Sequence, residues 1–202
     1  MMGEAAMMWE VPVGLESEAA RLRRGDPAAF EALLERYQNR VYRYLLRMVR
    51  EPATAEDLFQ QTWLRVVEKI RSYNPQRSFE AWLFSVARNL AIDHLRKYKP
   101  ESLDEPTATG ETRAEKVAAD GPTAQEAVIV RERSSRLAET LGELPVIYRE
   151  VLSLRFEEEM KLEEIAEVLG TPLSTVKTRL RRSLEQMRER LKACGPASEW
   201  QA

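Results

Sequence analysis

Residues 161–191 read KLEEIAEVLGTPLSTVKTRLRRSLEQMRERL, and their spacing is that of two short amphipathic helices folded across a glycine turn. Leu162, Ile165, Ala166 and Leu169 fall on one face of the first helix, where the small Ala166 lets a second helix approach closely. Gly170 supplies the left-handed backbone that ends it, and Thr171 or Ser174 is placed to cap the next helix. Leu173, Val176, Leu180, Leu184, Met187 and Leu191 then recur every three or four positions and form the expected buried stripe. The opposite face carries Ser174, Lys177, Thr178, Arg181 and Arg182, with Arg179 at its border, while Glu163, Glu164 and Glu167 stay on the preceding helix. This is the pattern of a helix-turn-helix. Its second helix fits a major groove, where Arg or Lys donates to guanine acceptors and Thr meets a thymine methyl or a phosphate. The plainer reading is an amphipathic pair whose cations only solvate the surface.

Upstream, the chain predicts a helix over about 127–141, a break at Leu144-Pro145, and another helix from Val146 to about Phe156. Residues 126–192 thus make one small helical domain. Residues 100–125 (PESLDEPTATGETRAEKVAADGPTAQ) hold almost no large apolar side chain and read as a flexible acidic linker. Extended at ~3.3 Å per residue, residues 101–124 reach roughly 80 Å, against about 70 Å for two turns of duplex.

The preceding segment, 21–99, predicts a second helical domain. Asp26 and Pro27 are an N-cap and first-turn proline after Gly25, opening a helix whose stripe is Phe30, Leu33, Leu34, Tyr37, Val41, Leu45 and Met48 and which ends near Pro52. A second helix is expected from Thr54, with Asp57 three residues on, burying Leu58, Thr62, Val66 and Ile70. Ser78 should cap a third, with Phe79, Trp82, Leu83, Val86, Leu90 and Leu95 inward and Arg96, Lys97 and Lys99 at its end. Residues 1–20 and 193–202 read as tails, the first partly disordered. The fold class is all-α: two small helical domains on a flexible linker, the C-terminal one bearing the helix-turn-helix. Cores this thin need mutual or partner contacts for part of their stability.

Composition narrows the function. The 202 residues carry 31 Lys+Arg against 33 Asp+Glu, a formal net charge of -2, so nucleic-acid contact has to come from local clustering. One cysteine, Cys194, and one histidine, His94, leave no disulfide and no zinc cluster. Residues 1–15 lack the basic flank and apolar run of a signal peptide, and no stretch approaches the ~20 apolar residues of a spanning helix. A cytoplasmic protein without membrane insertion, cofactor or metal is expected. Gly-rich phosphate loops and catalytic clusters are also missing, which argues against an enzyme such as a recombinase.

The segments GDPAAFEALLERYQNRVYRYLLRMV, AEDLFQQTWLRVVEKI and SFEAWLFSVARNLAIDHLRKYKP, in that order before the helix-turn-helix, resemble the promoter-opening domain of extracytoplasmic-function (ECF) sigma factors. The resemblance covers roughly residues 20–192. It implies a non-enzymatic subunit that binds core RNA polymerase, through the clamp helices of β′ and the flap of β, and directs it to promoter DNA. It further implies an anti-sigma factor as partner and a linker whose acidic residues imitate nucleic acid in a basic channel, though an acidic linker is also simply soluble.

The same resemblance assigns the helix containing Asp57, Gln60, Gln61 and Trp63 to polymerase, with the polar three as hydrogen-bonding groups and Trp63 as an apolar anchor. It assigns Arg88, Asn89, Arg96 and Lys97, with Tyr73 and Asn74 in the preceding loop, to the minus-ten element, where an unstacked base needs stacking and hydrogen-bond partners. Upstream duplex falls to Ser174, Lys177, Thr178, Arg179, Arg181 and Arg182. By residue type alone the plainer readings stand first, Trp63 and Tyr73 as core aromatics and Gln60, Gln61 and Asn89 as exposed polar groups, and it is the resemblance that reverses them. A stand-alone regulator with a helix-turn-helix remains the rival reading. Cys194 is a redox sensor or an incidental thiol, and Trp9 and Trp200 lie near the ends.

Overall fold

A computed structural model describes residues 13–98 and 136–193; the acidic linker, both extreme tails, Lys99, most of the helix expected over 127–141, Cys194, Trp9 and Trp200 lie outside the described residues. Among the described residues, all regular structure is helical. The first half comprises α1 (Val13–Arg23), α2 (Pro27–Val49), α3 (Pro52–Lys69), a single 3-10 turn (Ile70–Ser72) and α4 (Phe79–Tyr98). The second comprises α5 (136–142), α6 (Val146–Leu152) with a wider turn over Ser153–Glu157, α7 (Leu162–Leu169) and α8 (Leu173–Ala193).

Local chemistry sets these boundaries. The Asp26 carboxylate accepts from the Ala28 N–H at 3.0 Å and Pro27 opens α2, as the sequence predicts. Helix α2 stops at Arg50, which takes a left-handed φ of 60°. Helix α3 starts at Pro52, earlier than the expected Thr54, because Glu51 is the cap: its carboxylate accepts from the Ala53 and Thr54 N–H groups. Ser78 caps α4 through its Oγ to the Ala81 N–H at 3.2 Å. At the N-terminus, α1 begins at Val13, inside the stretch expected to be a tail, and Ala19 and Leu22 are buried. Two core contacts in a mostly polar helix leave little periodic signal, which is why the sequence reading started the domain at residue 21.

Helix α4 explains how the halves meet. The expected inward stripe is only part of what it buries: Ala81, Phe84, Ala87, Ala91 and Ile92 are buried too, whereas Trp82, Val86 and Leu90 are half-buried. The helix packs against α2 and α3 within its own half and also against α7 of the other. One apolar cluster therefore runs from Ala19 through Tyr37, Tyr44 and Phe84 to Val151, Leu154, Ile165 and Val176. A smaller cluster of Leu141, Leu144 and Leu152 sits under Tyr148, Leu180 and Met187.

Candidate nucleic-acid interface

The helix-turn-helix forms as read. Gly170 has φ 60° and closes α7 with its N–H toward Ala166 and Glu167. The Glu164 carboxylate accepts from the Lys161 N–H at 2.8 Å, one half of a capping box. Two details differ. Thr171 Oγ1 is buried without a hydrogen-bond partner, so it caps nothing, and the carbonyl of Pro172 takes the first amides of α8, from Thr175 and Val176. Within the expected stripe of α8, Val176 is fully buried but Leu184 is 45% exposed, and Ser183 is buried in its stead. The small Ser183, bonded to the Leu180 carbonyl at 2.8 Å, lets α8 lie close against its neighbours, with Leu184 displaced toward solvent.

The outer face of α8 presents Ser174, Lys177, Thr178, Arg181 and Arg182, all exposed. The Thr178 hydroxyl donates to the Ser174 carbonyl at 3.0 Å, and Arg181 pairs with Glu185 one turn on at 2.6 Å. Arg179 is set apart: its guanidinium turns toward Glu150 of α6 at 3.4 Å.

The sequence-derived minus-ten set divides in two. Asn89, Arg96 and Lys97 are exposed on α4, with Lys97 Nζ 5.1 Å from the Tyr98 ring centre. Asn74 is exposed in the loop before α4, where its Oδ1 accepts from the Gln76 N–H at 3.0 Å. Tyr73 is not available as a stacking face: it is 2% exposed, its ring packs on Phe79 and Trp82 at 5.6 and 5.3 Å, and its hydroxyl donates to the Arg77 carbonyl at 2.6 Å. It braces the loop from below. Arg88 is also engaged, donating to Glu150 at 2.9 and 3.4 Å.

On α3, Asp57, Gln60 and Gln61 are exposed along one face, as expected. Trp63 is a correction. It is 5% exposed and stands edge-on to Phe30 and Phe59 at 5.7 and 6.4 Å, so it belongs to the core. The apolar residues on the open side are Leu64, 64% exposed, and Val67, 52% exposed. Leu64 lies three and four positions beyond Gln61 and Gln60, so it continues their stripe.

Sequence reasoning missed the polar seam between the halves. Glu150 is fully buried and receives both Arg88 and Arg179. Arg40 bonds the Glu158 carboxylate at 2.7 Å and its carbonyl at 3.1 Å while also holding Glu80. Arg47 pairs with Glu157 at 3.0 Å. Arg149, buried beside these, donates to the carbonyls of Gly142 and Met48 at 2.7 and 3.1 Å. Burial pushes the Glu150 carboxyl above its usual range against the pull of Arg88, Arg179 and Arg149, and burial likewise raises Glu158 against Arg40. Burial, reinforced by Arg50 and Arg47, lowers Arg149 to about 10, so it stays charged at neutral pH. The wide turn delivers two of these acids: the Glu158 N–H reaches back to the Ser153 carbonyl, Ser153 Oγ bonds Glu157, and Glu157 and Glu158 meet different arginines of α2. Isolated acids in a run such as FEEEM look like solvated surface, and only the partners across the seam mark them.

Comparison with known proteins agrees with this layout. Sigma-70 region 2 matches residues 33–101 and Sigma-70, region 4 matches residues 134–187. The ECF RNA polymerase sigma factor SigW of Bacillus subtilis is 34% identical over 181 residues, covering 88% of this chain and 97% of that protein. The chain belongs to the ECF sigma factors. The ECF RNA polymerase sigma factor SigM of the same organism is similar, 34% identical over 81% of this chain and 93% of its own. Among solved structures, the sigma factor RpoE of Bartonella quintana, in complex with the anti-sigma factor NepR, shares the fold at TM-score 0.63 and 24% identity, over 81% of this chain and 96% of that one. CnrH, in complex with the cytosolic domain of CnrY, does so at TM-score 0.67 and 23% identity, over 89% and 98%. This ECF sigma factor is thus an alternative sigma factor working with RNA polymerase, and not a stand-alone regulator. Sigma factors are transcription initiation factors, not enzymes. Among its described residues, no helix is long and apolar enough to cross a membrane.

Proposed function

We propose that this sigma factor docks on core RNA polymerase through the outer face of α3 and reads promoter DNA with two separate elements. Asp57, Gln60 and Gln61 hydrogen-bond to the β′ clamp helices, with Leu64 and Val67 as apolar contacts in place of Trp63. The α5–α8 half meets the β flap. Region 21–99 recognises and opens the minus-ten element: Asn89 holds the unstacked base, Asn74 lies in the loop beside it, and Arg88, Arg96 and Lys97 hold phosphate. Region 126–192 recognises the upstream element: Lys177, Arg181 and Arg182 reach base edges and phosphates, Thr178 and Ser174 add short contacts, and Arg179 joins once released from Glu150. The linker over 100–125 spans the two sites. The protein works in the cytoplasm, where it needs no cofactor, and is held in reserve by an anti-sigma factor, the kind of partner named for the Bartonella relative.

The observation that carries this reading is the exposure of Lys177, Arg181 and Arg182 on one face of α8, on a body separate in sequence from exposed Asn89 and Arg96 on α4. Run-off transcription with purified core polymerase and a promoter library tests it. Arg181→Ala should reduce use of promoters through their upstream element by about 5- to 150-fold, the worth of one bidentate contact. Asn89→Ala should leave upstream binding intact and impair opening, read by permanganate footprinting. If both variants initiate at the same promoters with wild-type efficiency, these residues do not read DNA.

A further inference from the structure

Residues 36–50 read RYQNRVYRYLLRMVR, with arginine at 36, 40, 43, 47 and 50 and no acid among them. At about 100° per residue, steps of four, three, four and three hold these five within an arc of about 80°. The acids that meet them all come from other elements: Glu18 of α1 at Arg36, Glu80 of α4 and Glu158 at Arg40, and Glu157 at Arg47. Arg43 is exposed and, among the described residues, has no hydrogen-bond or ion-pair partner. Arg36 keeps 47% of its side chain exposed.

We infer that the arginine row of α2 is a further phosphate-binding track, taking the backbone of the unpaired strand beyond the base held at Asn89, with Arg36 and Arg43 as its contacts. This rests on the reading of α4 as the opening element and carries the strand onto a helix which that reading leaves out. Arg40 is the link, since it is fixed to Glu80 near the start of α4. Asn89 lies nine residues further along α4, about 13 Å away, and the cations Arg96 and Lys97 lie beyond it at the opposite end. A strand leaving the duplex at Arg96 and Lys97 and passing Asn89 is therefore headed for the arginine row. Arg36 and Arg43 stand about 10 Å apart along α2, the rise of about three nucleotides in a stacked strand at 3.4 Å each. The composition of the face favours phosphate over a protein partner. None of the large exposed apolar side chains among the described residues lies on α2, whereas α3 offers Leu64 and Val67. A protein interface needs such an apolar centre; a sugar-phosphate backbone is held by cations and amides, and Asn39 is exposed between Arg36 and Arg43.

The test uses holoenzyme assembled from core polymerase and the full chain, titrated with fork DNA that is duplex upstream and carries only the non-template strand from the minus-ten element onward. Arg43→Ala should weaken binding about fivefold, the upper range for an exposed ion pair. Arg36→Ala with Arg43→Ala should reduce the slope of log affinity against log salt by about 1.4 in magnitude, two contacts at about 0.7 each on a single strand. Arg43→Lys should keep the wild-type slope. Uncharged methylphosphonates at the three linkages past the unstacked base should abolish the difference between wild type and Arg43→Ala. An unchanged slope, or equal losses on charged and uncharged strands, overturns the track. So does a loss of affinity for core with fork binding by assembled holoenzyme unaltered, which would give the row to the polymerase. Asn89→Ala separates the two readings. If it weakens fork binding while the arginine variants do not, the track fails and the opening element stands; if none of the variants has an effect, both fail.

Discussion

Glu150 shows how much a single acid can determine when its surroundings are apolar. Its carboxyl is raised from an ordinary value of 4.5, first by burial, and the neighbouring arginines recover only part of that cost. A raised carboxyl in the folded chain means that the fold retains a proton the unfolded chain has already released. Between 4.5 and the raised value, stability contributed by this site therefore falls as pH rises and is regained on acidification. That sign is opposite to that of a carboxylate lowered by its partner, such as Asp26 beside Arg21. Glu150→Gln removes the titration but keeps the shape. The wild-type melting temperature, taken relative to that of Glu150→Gln, should rise as pH drops toward 4.5. Parallel curves would show that Glu150 titrates as an exposed acid and that the seam is wet.

At the scale of elements, α3 separates two kinds of apolar residue that composition alone treats alike. Trp63 is packed between Phe30 and Phe59, whereas Leu64, the next residue, points to solvent. Trp63→Ala should cost about 3–5 kcal/mol in urea unfolding through the cavity it leaves. Leu64→Ala should change stability by less than about 0.5 kcal/mol yet weaken binding to core polymerase by roughly tenfold, measured by competition for core. Equal losses of stability would mean that Leu64 is not on an open face. The helices themselves were readable because caps and turns announce them: Asp26-Pro27, Ser78 and Gly170 each do in the structure what their chemistry predicts. The exposure of the helix-turn-helix cations was readable from periodicity, since an apolar stripe recurring every three or four residues sets Lys177, Arg181 and Arg182 on the side away from the core. What stayed hidden were faces that only a tertiary partner defines. Helix α4 is buried on two sides, so its Phe84, Ala87 and Ala91 fall outside any single stripe. Tyr73 reads from sequence either as a base-stacking loop aromatic or as a core-edge one, and only Phe79 and Trp82 closing over it decide for the core.

For the molecule as a whole, the decisive feature is that the apolar cluster does not stop at the boundary between halves. Small helical domains bury too little surface to be strongly stable alone, and here Ile165, Val168 and Leu169 of α7 share a core with residues of α2 and α4. Helices that share a core open together, so amides in α4 and α7 should exchange with deuterium at similar free energies in the free chain. Glu157→Arg, which sets two cations against each other at the seam, should detach that unit: protection in α7 falls by about tenfold, while α4, still packed on α2 and α3, loses less. Hydrogen exchange read by mass spectrometry on peptides spanning residues 79–98 and 162–169 measures both at once. If α7 already exchanged far faster than α4 in the wild type, the halves would be folding as independent bodies and the continuous core would contribute nothing to either. Matched protection that Glu157→Arg splits would instead make closure part of the folding cooperativity. A polymerase that holds the halves apart must then supply the stability that each gives up on leaving the other.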